Sequence, residues 1–174
     1  MGRSSMSERA KITVVRFTQG VAVQVDGAGT MSESPVVYAF AEEILKTTDQ
    51  QVIVNLAACT YLDSTFLGGL VGLLKRHGGD PARFAIYVPF PGRQSLFGVS
   101  RLDKILPFVD VLPPVEADFP LEARAQMSRD ELGRYIVDCH RRLAELGGEQ
   151  AQDFGRVAEA LAGELESNGR RNGR

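Results

Sequence analysis

The sequence predicts an α/β domain, a mixed β-sheet with helices in the order β-β-α-β-α-β-α-β, followed by a C-terminal helical hairpin. Three observations predict it. Short runs rich in Val and Ile recur at Lys11–Phe17, Val21–Val25, Gln51–Leu56, Arg83–Val88 and Phe108–Leu112. Between the later runs lie segments with apolar residues at helical spacing, and strands alternating with helices belong in a sheet that those helices cover. After Pro113-Pro114 the β-type runs stop and two helical stripes follow.

Ile12, Val14, Val15 and Phe17, then Val21, Ala22, Val23 and Val25, flank Gln19-Gly20 and predict a tight hairpin of two strands. Gly27-Ala28-Gly29 is expected to break the second strand. Ser34 before Pro35 reads as an N-cap with proline at the first helical position, and Val36, Val37, Phe40, Ala41, Ile44 and Leu45 give that helix one apolar face to about Lys46. Gln51–Leu56 is expected to be the central strand. Beyond Asp63-Ser64-Thr65, Leu67, Leu70, Val71 and Leu74 form a second helical face, Gly68, Gly69 and Gly72 let that helix approach its neighbours closely, and Gly78-Gly79 ends it. Arg83–Val88 is a strand, Pro91–Val99 a short helix and Phe108–Leu112 the last strand.

Pro113-Pro114 opens a proline-containing, acidic linker over 114–127. Ser128 with Glu131 makes a capping box for a helix carrying Leu132, Tyr135, Ile136, Cys139, Leu143 and Leu146. A second helix follows on Phe154, Val157, Ala158, Leu161 and Leu165. The chain thus divides into a flexible N-terminus over 1–10, the sheet domain over 11–113, the linker, the helical extension over 128–166 and a Gly-, Asn- and Arg-rich tail over 167–174 expected to be disordered. The extension must bury its stripe on the domain, on a partner or in a homodimer.

The 174 residues suit one domain with an appendage, and 20 basic against 22 acidic side chains leave no basic footprint for nucleic acid or an anionic membrane. Cys59 and Cys139 stand in no metal-type spacing, and His77 and His140 are the only histidines, so neither metal nor cofactor is expected. The polar opening residues have no apolar central run and no later segment is long enough to span a bilayer, which makes the cytoplasm the expected compartment. There is no phosphate-cradling loop and no nucleophile elbow around Ser64, and neither histidine sits in a motif that assigns it to Ser64 as a base. No catalytic residue is assigned and an enzyme is not expected.

The Asp63-Ser64-Thr65 junction remains. Taken alone, a Ser or Thr there is a helix N-cap satisfying free backbone amides. The wider pattern points further. The element order from Lys11 to Leu112, the stretch VNLAACTYLDSTFLGGLVGLLKR and the stretch SLFGVSRLDKILPFVD resemble the STAS domain, the fold shared by bacterial anti-sigma factor antagonists and the cytoplasmic part of sulphate transporters. The resemblance covers about the first two thirds of the chain. It departs at Phe66, where antagonists usually carry glycine, and at Arg101, where a glycine commonly precedes the leucine.

The resemblance implies a non-enzymatic signalling module that binds an anti-sigma factor of the serine/threonine kinase type. It implies Ser64 as first and Thr65 as second phosphorylation site, Asp63 and Phe66 in the docking surface, and a protein phosphatase that resets the switch. A phosphate adds about −1.5 to −2 charges at a helix start whose dipole tolerates it, and its cost falls on the partner. Two other uses of the fold stay open: a constitutive assembly subunit in which Ser64 and Thr65 only cap the helix, and a small-ligand or nucleotide-binding domain whose cleft is lined by Gly27 to Ser32 and the Asp63 junction.

Overall fold

The structure, a computed structural model, describes residues 9–120 and 127–172. Strands β1 (Lys11–Phe17) and β2 (Gly20–Gly29) form the expected hairpin, with Lys11 opposite Asp26 and Phe17 opposite Gly20. Helix α1 (Ser34–Thr47) leads to β3 (Gln51–Asn55), and a short strand β4 (Cys59–Leu62) precedes α2 (Ser64–His77). Strand β5 (Phe84–Tyr87), helix α3 (Gly92–Phe97), β6 (Phe108–Val109) and β7 (Ala117–Pro120) complete the domain. Helices α4 (Arg129–Glu145) and α5 (Ala151–Asn172) follow.

The sheet order is β6-β5-β3-β2-β1-β7, with β3 beside β2 at its centre as expected. The β2–β3, β3–β5 and β5–β6 pairs are parallel, whereas β1 is antiparallel to both β2 and β7. Period-two alternation divides the side chains. Val21, Val23, Val52, Val54, Phe84 and Ile86 face the helices and form the main core with Leu70, Val71, Phe97 and Leu102, while Val15, Phe17, Ala22, Ile53 and Ala85 make a smaller cluster on the opposite face.

Several expectations need correction. Gly27-Ala28-Gly29 does not end β2. The strand shifts register between Gly27 and Ala28 and pairs onward in parallel with β4, and Gly27, at φ +106°, supplies the backbone shape that the bulge requires. The sequence hid β4 because Thr60 and Tyr61 in it are exposed. The segment expected as a linker contains β7, which pairs Thr13 with Pro120 and Arg16 with Ala117; proline is tolerated there because β7 is an edge strand. The cap of α1 is Glu33, not Ser34, whose hydroxyl is engaged elsewhere. The last strand of the βα series is only Phe108–Val109, and α5 continues to Asn172 through most of the tail expected to be disordered. Residues 1–8, 121–126 and 173–174, parts of the expected N-terminus, linker and tail, lie outside the described residues.

The C-terminal pair packs on α2 rather than on the sheet, forming an outer helical layer. The seat is glycine. A Cβ on Gly68 would lie 2.5 Å from the Cys139 carbonyl oxygen, and one on Gly69 would lie 2.7 Å from Tyr135 Oη. Tyr135, Cys139 and Leu143 are buried on the α2 side of α4, and Tyr135 meets Tyr38 of α1 edge-on at 5.7 Å between ring centres. Across α4, Gly133 receives Leu165 and Ala144 approaches Gly155, so small residues also draw α5 close. Lys75–Glu145 and Arg141–Glu159 ion pairs rim these contacts. The Ser128–Glu131 capping box forms as the spacing predicts.

Arg101 adopts φ +56°, a left-handed conformation that an arginine holds at a cost of about 1–2 kcal/mol and glycine holds freely. Arg101→Gly is therefore expected to leave urea stability unchanged or raise it, and a clear loss would mean that the arginine side chain stabilises this turn. At the α2–α4 seat the atom facing Gly68 is backbone and cannot step aside. Gly68→Ala is expected to lower stability by about 1–3 kcal/mol, whereas Gly163→Ala, on α5 with open space around it, raises it by up to about 1 kcal/mol. Equal small effects would contradict the close approach.

Candidate functional site

The turn between β4 and α2 is built around Asp63. Its backbone is extended while the next residue is helical, and its Oδ1 accepts from Phe66 N–H at 2.8 Å, so Asp63 is the N-cap. Oδ2 accepts from Met31 N–H at 2.8 Å, which ties the β2–α1 loop to the start of α2. That loop is closed on itself: Glu33 Oε2 accepts from Thr30 N–H and Thr30 Oγ1, and the Ser34 amide donates to the Thr30 carbonyl. With Asp63 as cap, Ser64 occupies the first helical position and its hydroxyl is not consumed by capping.

Ser64 is half-buried, and its Oγ lies 3.0 Å from His140 Nε2 on α4. His140 Nδ1 is 2.8 Å from the Ile136 carbonyl oxygen, which can only accept. Nδ1 therefore carries a proton that it donates to that carbonyl, and Nε2 is the ring atom that meets the Ser64 hydroxyl. The imidazole is buried and tilted against Phe154 of α5 at 6.1 Å between ring centres. A histidine oriented by a carbonyl and bonded to a serine is the core of a nucleophile–base pair. Here it lies inside a helix–helix contact, and its evident role is to satisfy two buried polar groups.

The other residues expected at the site are placed differently. Thr65 is only 3% exposed and Phe66 1%, so the Thr65 hydroxyl is out of reach of a modifying enzyme in this packing and the Phe66 ring belongs to the core, not to a docking surface. The ring fits in the first turn of α2 because Gly29 faces it: a Cβ there would lie 3.0 Å from Phe66 Cδ2. Behind them, Ser34 Oγ donates to the Thr65 carbonyl at 3.2 Å, which leaves Tyr135 Oη, 2.7 Å away, to donate to Ser34 Oγ. Burial holds the Tyr135 phenol well above its usual range and pushes the Cys139 thiol up to about 11. Both stay neutral at physiological pH, as their tight packing requires.

His140 is the site residue that sequence reasoning missed. A lone histidine on a helix carries no spacing signal, and 76 residues separate it from Ser64. Beside the junction, Tyr61 and Val99 are exposed and line an apolar groove with Leu67, Leu96 and Phe154 between α2, α3 and α5. The backbone amides from Gly27 to Ser34 that a bound phosphate would need are largely committed to internal acceptors. Among the described residues no group of His, Cys, Asp and Glu could hold a metal ion, and no helix is long and apolar enough to cross a membrane.

Removing the Asp63 carboxylate loses a cap and an inter-loop bond together. Asp63→Ala is expected to cost about 1–2 kcal/mol in urea unfolding, with Asp63→Asn losing less because an amide oxygen also caps. A larger loss for Ser64→Ala than for Asp63→Ala would put the cap at Ser64 instead.

No family model matches this sequence, and no curated protein is similar to it in sequence. Solved structures are similar in shape. An anti-sigma factor antagonist from Mycobacterium paratuberculosis superposes with a TM-score of 0.50 at 19% identity, over 63% of this chain and 92% of that one. The anti-sigma factor antagonist SpoIIAA in its unphosphorylated form gives 0.45 at 14% identity, over 58% and 89%. An uncharacterized protein with a SpoIIAA-like fold from Shewanella loihica gives 0.41 at 16% identity, over 63% and 93%. The first of these likenesses, together with the mixed sheet and its helices, gives this chain the fold of an anti-sigma factor antagonist, the STAS-type fold that its sequence resembles.

Proposed function

We propose that this chain is a non-enzymatic regulator of the anti-sigma factor antagonist type, whose Ser64 is phosphorylated by a kinase-type anti-sigma factor and restored by a protein phosphatase. One observation carries the reading. Asp63 takes the capping role, so Ser64 stands at the first helical position with a hydroxyl that, among the described residues, bonds only a side chain from another helix. Backbone chemistry does not explain that hydroxyl. In the transfer, the Oγ–H bond breaks and an Oγ–P bond forms to the γ-phosphoryl group of a nucleoside triphosphate, releasing the diphosphate and a proton. The start of α2 receives the new charge favourably.

Burial supports Ser64 over Thr65 as the acceptor. Burial of Phe66 speaks against it as docking surface, and the exposed rim of Met31, Tyr61 and Val99 beside the Asp63 turn is the surface we assign to the partner. A phosphate carried there would oppose acidic groups on a partner already seated. The expected compartment is the cytoplasm. A second reading, a constitutive assembly subunit, is favoured by α4, which covers Ser64 in the resting chain.

The test is phosphotransfer from radiolabelled ATP by a kinase-type anti-sigma factor of the same organism. Label is expected on the wild type and on Thr65→Val and is lost in Ser64→Ala, and Ser64→Asp is expected to weaken binding of that factor at least tenfold. Undiminished label on Ser64→Ala would exclude Ser64. No label on any form, with binding unchanged by Ser64→Asp, would favour the constitutive subunit.

A further inference from the structure

The α4–α5 hairpin and a modified Ser64 compete for one space. Ser64 Oγ lies 3.0 Å from His140 Nε2, a hydrogen-bond separation, so a phosphate carried on the present Ser64 rotamer meets the ring. The ring cannot easily step aside. Nδ1 is held by the Ile136 carbonyl, Phe154 stands against the ring, and His140 is buried between α2 and α5. The backbone of α4 cannot retreat a little either, because Cys139 sits directly on Gly68 and the contact is either made or lost.

The charges around Ser64 point the same way. Asp63 precedes it, with both carboxylate oxygens engaged by backbone amides, and Asp138 lies on α4 next to Cys139. The start of α2 favours a phosphate, so the charge would bear on α4, where Asp138 is of like sign. His140 is the side chain in contact with the hydroxyl, and the Ile136 carbonyl fixes the orientation of its ring.

We infer that α4 is a phosphate-released occupant of the α2 face: seated while Ser64 carries a hydroxyl, displaced when Ser64 carries a phosphate. The inference rests on the reading of Ser64 as phosphoacceptor. Displacement uncovers the Gly68–Gly69–Gly72 face of α2 together with the Tyr135–Cys139–Leu143 stripe of α4. The α2 face takes a partner helix that presents small residues or backbone opposite Gly68 and a hydroxyl-bearing aromatic near Gly69, because that is the shape α4 presents to it. Phosphorylation then does more than repel one partner, since it offers a helix-binding surface that the resting chain keeps covered.

Cys139 reports the seat directly. It is fully buried against Gly68, and burial holds its thiol up to about 11, so it reacts slowly while α4 is seated. The experiment is N-ethylmaleimide alkylation of the full chain, mapped to Cys139 by mass spectrometry, with hydrogen exchange of β3 and β5 followed in parallel. Ser64→Glu and Ser64→Asp are each expected to raise the Cys139 rate at least tenfold over wild type while β3 and β5 exchange as in wild type. Ser64→Glu/His140→Ala, which makes room for the carboxylate, is expected to bring the rate back toward wild type. A Cys139 rate unchanged in both acidic variants would overturn the inference, as would sheet exchange that accelerates in step with alkylation. Failure here leaves the phosphotransfer assay untouched, because a phosphate accommodated under α4 would still be incorporated at Ser64.

Discussion

The close approach of α4 to α2 is the contact on which the arrangement of the site depends. Three glycines in one helix leave a surface without side chains, and a second helix settles on it until backbone meets backbone at Gly68. Such a seat tolerates no intermediate distance, because packed interiors respond to an added methyl group by straining or by parting. What α4 carries on its inner face is therefore placed with little freedom: Tyr135 against Ser34, Cys139 against Gly68 and His140 against Ser64.

That placement changes what the hydroxyl at the β4–α2 junction can be. In a bare domain it would project into solvent at the start of a helix. Here it satisfies a buried imidazole, and the imidazole satisfies it in return. Polar pairs of this kind are costly to leave half-made, since an unpaired buried group loses its hydration without compensation. The pair therefore joins the junction to a helix whose own partner, α5, meets it at Gly133 and Gly155. The Asp63 cap holds the start of α2 through its own side chain, while Leu143 ties α4 into the main core.

Much of the fold was legible in the sequence because it rests on local periodicity. The hairpin around Gln19-Gly20, the central Gln51–Asn55 strand and the capping box at Ser128 all follow from spacing that their own segments contain. The elements that were misread draw their structure from distant partners: β4 and β7 are short, partly polar or proline-bearing, and become strands only because β2 and β1 offer them an edge. The glycines of α2 announced a close neighbour without naming it. At the junction, the resemblance singled out Ser64 but nothing pointed to its hydrogen-bond partner His140, since no local pattern links two residues brought together by packing. Phe66 was ambiguous for a related reason: its burial depends on the space left by Gly29, a strand away.

Hydrogen exchange of the unmodified protein probes the seating of α4. The amides of Tyr135 to Leu143 are expected to be protected well beyond the level of an isolated helix, in one cooperative unit with α2, because exchange there requires the glycine seat to open. Amides of α4 exchanging at the rate of a free helix while β3 remains protected would contradict that seating, and would leave Ser64 uncovered in the resting protein.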